Sequence, residues 1–218
     1  YYDTIFAAAS GGGQAALTVL RISGPAAGAA LDALAHRRPA PRVASVRDLS
    51  DAAGEQLDQA LVLWFPGPGS YTGEDCVELH LHGGRAVLLA VSDALVGLGL
   101  RPAEAGEFTR RAFLNGRMDL LEAEGVADLV AAETAAQRRQ ALRQLDGALG
   151  AVYRDWSARL ARLLAQQEAL IDFPDEDLPP EVEEAGRMEL LSLLGQIGQH
   201  LDDGGRGERV RDGLVFAI

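Results

Sequence analysis

The residues best suited to chemistry stand in two places. From Glu74 to His82 a strict alternation places Val77, Leu79 and Leu81 on one face of an expected strand and Glu78, His80 and His82 on the other. A carboxylate inside an otherwise apolar alternation must meet solvent, a partner arginine, or a ligand with paired N–H donors. The amino-pyrimidinone edge of a pterin carries such a pair. Glu78 with His80 and His82 also suits a metal ion, because imidazoles two residues apart on a strand can share one. No fourth ligand stands at an obvious position, so hydrogen bonding by one or both histidines is the simpler reading. The second place is arginine-rich: Arg21 near the end of a strand with Val19, Leu20 and Ile22, and Arg110, Arg111 and Arg117 close together. The planar guanidinium fork suits carboxylate or phosphate, although such arginines, taken alone, are most often a solvated face.

Composition narrows the chemistry further. The chain has 218 residues, 48% of them apolar, and a formal net charge of −12. This is enough to bury a core and amounts to one ordinary domain or two small ones. All 20 basic residues are arginine. Without lysine there is neither a Walker A phosphate loop nor Schiff-base chemistry within these residues. The acidic balance argues against broad binding to a phosphate backbone, so nucleic acid would need a local arginine patch or a partner protein. The lone Cys76 allows no intrachain disulfide and no cysteine zinc cage, which suits a reducing, cytoplasmic setting. No apolar run is long enough for a membrane span.

The elements that must position these residues change character near Asn115-Gly116. Before that pair, strand and helix signals mix. Strands are expected over 3–9, 15–22, 42–49, 57–65 and 74–82, with helices from Pro25 to about Ala35 and from Arg85 to Leu98. Gly11-x-Gly13-x-x-Ala16 formally matches a dinucleotide fingerprint, but the residues after it read as a strand, so a hairpin turn is expected there. Beyond the pair the chain reads as helical. Asp119 with Glu122 forms a capping-box pattern opening a helix through Leu145. An apolar stripe from Leu149 to Ile171 marks a long helix, ended by Phe173-Pro174. The acidic run from Asp172 to Glu184 is expected as a solvated loop, and Leu190, Leu194, Ile197 and Leu201 mark a further helix. The fold class is thus α+β: a mixed α/β domain followed by an all-α helical bundle. The last residues, Leu214 to Ile218, read as an apolar strand ending in nothing, so the chain is expected to be a fragment.

Several blocks together carry a resemblance. "DTIFA" at 3–7, "LRISGP" at 20–25, "LWFPGPGSYTGEDCVELHLHGG" at 63–84, "GEFTRRAFLNGRMDLLEAE" at 106–124 and "IDFPDED" at 171–177 closely resemble the MnmE (TrmE) family of tRNA modification GTPases. The resemblance implies an N-terminal α/β domain akin to the folate-binding domain of aminomethyltransferases, which dimerises and binds a one-carbon-substituted tetrahydrofolate. It implies a helical domain interrupted by the G domain, whose first strand would begin at 214–218. Domains are accordingly expected at 1–116 for folate binding and dimerisation, at 117–213 for the first part of the helical domain, and at 214–218 for the start of the G domain. GTP, magnesium and potassium would belong to that G domain, so these residues are not expected to hydrolyse GTP.

Carried over position by position, the resemblance places folate contacts on Arg21, Glu78 and Arg117, where the family commonly has lysine at the last. It implies a homodimer acting with a flavoprotein of the MnmG (GidA) type on the wobble uridine of certain tRNAs, in the cytoplasm and away from membranes. Because further helices of the family's bundle come from beyond the G domain, apolar stripe is expected to stay exposed here. Two other readings are a free-standing folate-dependent one-carbon transferase and a dimerising scaffold that binds no small molecule.

Overall fold

A computed structural model of the chain describes residues 3–11, 15–172, 180–202 and 204–213. It divides into two compact units, 1–118 and 119–218. The first unit is a six-stranded sheet with helices, and the second is helical, giving the α+β class expected from the sequence.

In the first unit the strands are β1 (Ile5–Ala8), β2 (Leu17–Ser23), β3 (Ser45–Ser50), β4 (Gln56–Phe65), β5 (Cys76–His82) and the short β6 (Arg101–Pro102). Their order across the sheet is β3-β4-β5-β2-β1-β6. All neighbouring pairs are antiparallel except β1 with β6. The helices are α1 (Ala27–Ala35), α2 (Arg85–Gly97) and α3 (Glu107–Leu114). Alternation along the strands sends Leu20, Ile22, Val62, Trp64, Val77, Leu79 and Leu81 into one core with Leu31 and Leu34 of α1 and Val91 and Leu95 of α2. The opposite face carries Arg21, Glu78 and His80, which are only partly buried. Register brings them together. Arg21 of β2 pairs with Glu78 of β5, and Leu63 of β4 flanks Glu78 on its other side. The polar alternation singled out in the sequence is therefore the face of the central strands turned away from α1 and α2.

Two helix ends shape this unit. At α3 the N–H of Arg117 donates to the carbonyl of Ala112 at 2.8 Å and that of Gly116 to Phe113 at 3.0 Å, with Gly116 at φ 67°. This Schellman motif turns the chain sharply at Asn115-Gly116. Leu100 and Gly99 close α2 with the same pair of bonds, to Leu95 and Val96.

The second unit contains α4 (Leu120–Ala131), α5 (Ala135–Leu145), α6 (Ala148–Asp172), α7 (Pro180–Leu201) and α8 (Arg206–Asp212). Asp119 and Glu122 form the capping box expected from the sequence, with bonds of 2.9 and 2.7 Å. The single helix expected from 119 to 145 is instead two. Ala132 is extended at ψ 117°, and Thr134 opens α5 with its own capping box to Gln137. The second capping signal ended the first helix. The loop expected through Glu184 gives way to α7 from Pro180, while its residues 173–179 lie outside the described residues, as do Gly12 to Gln14 of the expected hairpin turn and the strand at 214–218.

Candidate functional site

Loop 66–75 joins β4 to β5 beside the Arg21–Glu78 face. The Gly67 N–H donates to Asp75 Oδ1 at 2.9 Å, Ser70 Oγ to the Glu74 carbonyl at 2.5 Å, and Asn115 Nδ2 to the Thr72 carbonyl at 2.7 Å. Beneath it Ser23, Thr72 and Cys76 form a buried polar cluster, with Ser23 Oγ and Thr72 Oγ1 at 2.7 Å and Thr72 Oγ1 and Cys76 Sγ at 3.2 Å. Ser23 also donates to Glu74 Oε2 at 2.7 Å. Gly73 sits at φ 80°, and a Cβ there would meet Arg117 Cγ at 3.1 Å. Glycine therefore permits both the turn and the close passage of Arg117.

The loop and α3 hold Arg21 in place. Its guanidinium carbon lies 5.0 Å from the Tyr71 ring centroid and 5.8 Å from that of Phe108, within cation–π range of both. Tyr71 is itself fixed by a 2.9 Å hydroxyl contact with Thr109. From this position Arg21 donates through Nε at 3.0 Å and Nη2 at 2.7 Å, both to Glu78 Oε1. The other carboxylate oxygen, Oε2, stands 3.8 Å from His80 Nε2, too far for a hydrogen bond. That nitrogen is buried and unpartnered. Glu78 thus meets the partner arginine anticipated from its alternation and keeps one oxygen open to an N–H donor.

All three residues expected at the site border one cavity. A hollow of about 280 Å³ is lined by Arg21, Arg42, Phe65, Gly69, Ser70, Tyr71, Cys76, Glu78 and Arg117. Arg42 reaches the Gly69 carbonyl. Neither Arg42 nor Arg117 has a carboxylate partner among the described residues. The lining therefore combines one half-engaged carboxylate, two available guanidinium groups and two aromatic rings. It suits a flat heterocycle with an N–H edge at Glu78 and an anionic extension toward the arginines. The volume fits a ring system more closely than a whole elongated ligand, since small-molecule sites commonly span roughly 300–1,000 Å³. Larger hollows exist, one of about 540 Å³ beside α1 and α2 and one of about 570 Å³ between α6 and α7, but neither gathers a comparable polar set.

A family model described as "GTP-binding protein TrmE N-terminus" matches residues 4–117, and one described as "MnmE helical domain" matches residues 120–215. The chain belongs to the MnmE (TrmE) family. It is 60% identical over 99% of its length to the tRNA modification GTPase MnmE of Granulibacter bethesdensis, covering 49% of that protein. It is 62% identical over 98% of its length to the MnmE of Gluconacetobacter diazotrophicus, covering 50%. It is also 56% identical over 99% of its length to the human mitochondrial 5-taurinomethyluridine-tRNA synthase subunit GTPB3, covering 45%. The MnmE family is one of tRNA modification GTPases, and this chain spans about half the length of the relatives it matches. Among the described residues no helix is long and apolar enough to cross a membrane.

Several features of this MnmE-family site escaped the sequence reading. Arg111 is no solvated residue: it is wholly buried. Nη2 donates to Asp3 Oδ1 at 2.9 Å and to Glu107 Oε1 at 3.0 Å, and Nη1 to Glu74 Oε1 at 3.2 Å. The cluster ties the segment at Asp3, loop 66–75 and α3 together. Hydrogen bonds from Arg101 hold the Glu107 carboxyl at about 2, against the pull of burial, with help from the Glu104 N–H and Arg111. For Asp3, burial pushes upward, yet hydrogen bonds from Arg101 and Arg111 keep it below the ordinary value. Arg42, Tyr71 and Phe108 were also missed, because only tertiary structure brings them to Arg21. His82 departs from the metal reading. Its Nδ1 meets Asp58 Oδ1 at 2.7 Å, and no metal-binding set of His, Cys, Asp and Glu occurs among the described residues.

Proposed function

We propose that residues 1–118 bind a one-carbon-substituted tetrahydrofolate and dimerise, as the first part of a GTPase that modifies the wobble uridine of certain tRNAs. In this reading the intact protein works with an MnmG (GidA) type flavoprotein in the cytoplasm. GTP, magnesium and potassium belong to a G domain beyond the helical unit. The observation that carries the folate reading is the convergence of Arg21, Glu78 and Arg117 on one cavity, with Glu78 Oε2 left without a hydrogen bond among the described residues. The tRNA reading rests on family membership and on relatives named for tRNA modification.

The residues fit the head group by their donor and acceptor chemistry. Glu78 would accept from the pterin's amino and ring N–H groups, sharing Oε1 with Arg21. Tyr71 and Phe65 would flank the ring, and Arg42 and Arg117 would meet carboxylates of the tail. Folate supplies the one-carbon unit, while these side chains bind and orient it.

Calorimetric titration with 5-formyltetrahydrofolate tests the site. Saturable binding is expected, and Glu78→Ala should weaken it at least about 10-fold, since a hydrogen bond to a charged group contributes roughly 1.5–3 kcal/mol. Absence of binding by the unmodified protein would leave the first unit a dimerisation scaffold.

A further inference from the structure

The helical unit carries one face whose charge is unlike the rest of the chain. Helix α5, sequence AAQRRQALRQL, contains three arginines, three glutamines and no carboxylate. The structure sorts them. The glutamines turn inward to backbone carbonyls: Gln137 Nε2 donates to Arg211 at 3.1 Å, Gln140 Nε2 to Gly207 at 3.1 Å and Gln144 Nε2 to Leu121 at 2.9 Å. These bonds and the buried Ala141 fix the inner side against α4 and α8. Arg138, Arg139 and Arg143 are then left on the exposed side.

None of these three arginines has an ion-pair partner among the described residues. Elsewhere in the same unit four arginines have such partners: Arg154 with Asp119, Arg159 with Glu189, Arg187 with Glu184 and Arg211 with Asp128. Arg162 and Arg209 stand singly on other helices without one among the described residues. Acidic residues outnumber arginines in this unit, so three unpaired arginines on one helix are not explained by a shortage of carboxylates. The nearest in sequence, Glu133 and Asp146, lie outside the two ends of the helix.

We infer that the Arg138–Arg139–Arg143 face of α5 is a contact surface for the phosphate backbone of tRNA. The inference rests on the proposed tRNA reading and adds a place on the molecule. Guanidinium forks meet phosphate oxygens two at a time. A charge excess elsewhere is screened beyond about 8 Å at physiological salt, so the local patch governs such a contact. An acidic protein partner is the competing occupant. A protein interface is anchored by aromatic or large apolar side chains, and this face offers only Leu142, at 42% exposure, beside the arginines. The absence of aromatics also means contact with phosphates, not base stacking, and hence little sequence preference.

The test uses the full-length protein and a substrate tRNA, with and without the flavoprotein partner, titrated by fluorescence anisotropy across a salt series. Arg138→Gln, Arg139→Gln and Arg143→Gln are combined, and intrinsic GTP hydrolysis reports that the protein is folded. At about 0.1 M salt, affinity should fall at least about 10-fold. The log–log salt dependence should become shallower by roughly 2, since each lost phosphate contact removes about 0.7–0.9 from its slope. Lysine at the same three positions should retain most of the slope. Unchanged affinity and slope in the glutamine variant would overturn the inference, as would failure of the unmodified protein to bind tRNA in either setting. Loss of flavoprotein binding with tRNA binding intact would assign the face to a protein instead. The underlying reading fails separately, if wobble-uridine modification persists in cells lacking the gene.

Discussion

Arg111 shows how a charge can organise a site without lining it. A fully buried guanidinium is costly to desolvate, and it is tolerated here because Asp3, Glu74 and Glu107 surround it with acceptors. Removing it leaves Glu74 with no cation among the described residues and Asp3 and Glu107 sharing Arg101. Arg111→Met is therefore expected to destabilise the first unit by roughly 3 kcal/mol or more, read as a lower midpoint in urea. The same cluster sets a pH dependence. Glu107 is held at about 2, below its ordinary 4.5, so the folded state releases this proton more readily than the unfolded chain. Its stabilisation is fully present above about pH 4.5 and is lost as pH falls toward 2. Unfolding free energy measured over that range should fall with acid in the parent protein and fall less in Glu107→Gln. Equal slopes in the two proteins would remove Glu107 from the account.

At the scale of elements, the sharpest test concerns the turn that delivers Arg117 to the cavity. Gly116 has φ 67° and open space where a Cβ would stand, and so does Gly54, φ 85°, in the turn between β3 and β4. Alanine at either position should cost about 1–2 kcal/mol, because the left-handed conformation is unfavourable for a residue with a Cβ. Melting temperatures should thus fall in both variants. Folate affinity, measured by titration, should fall only for Gly116→Ala, since Gly54 does not border the cavity. Loss of affinity in both would point to general instability instead of a displaced Arg117. The contrast also shows which parts of the molecule could be read from residues. The alternation from Glu74 to His82 declared β5 and its polar face, because side-chain direction along a strand is a local property. That Glu78 would lie opposite Arg21, 57 positions away, was not local: it follows from β2 pairing with β5 in one register. The break between α4 and α5 was written in Thr134 and Gln137 but masked by the helix-favouring residues around it. Arg111 looked like its neighbour Arg110 in sequence, and only the packing of α3 separates a buried arginine from an exposed one.

Across the whole molecule, each of the two units buries a different amount of apolar surface within itself. In the first, β5 is hydrogen-bonded on both sides, by β2 and β4, and Val77, Leu79 and Leu81 are fully buried. In the second, Leu193 is the one buried apolar side chain among the described residues of α7, while Leu164, Ile171, Leu194 and Leu201 are 59%, 67%, 59% and 77% exposed. Helices whose apolar stripe meets water gain little from the burial that normally stabilises them. Their backbone hydrogen bonds should open locally at low free energy, without unfolding of the sheet. Hydrogen exchange on this 218-residue chain should therefore show amides of β5 exchanging slowest and those of α6 and α7 at least about 100-fold faster, a difference of about 2.7 kcal/mol in opening free energy. The relatives are about twice as long, and in the proposed reading further helices join this bundle from beyond the G domain. In the full-length protein, protection of α6 and α7 should then rise while that of β5 stays the same. If α6 and α7 already exchange as slowly as β5 in the shorter chain, their exposed leucines are not a missing interface, and the helical unit is stable by itself.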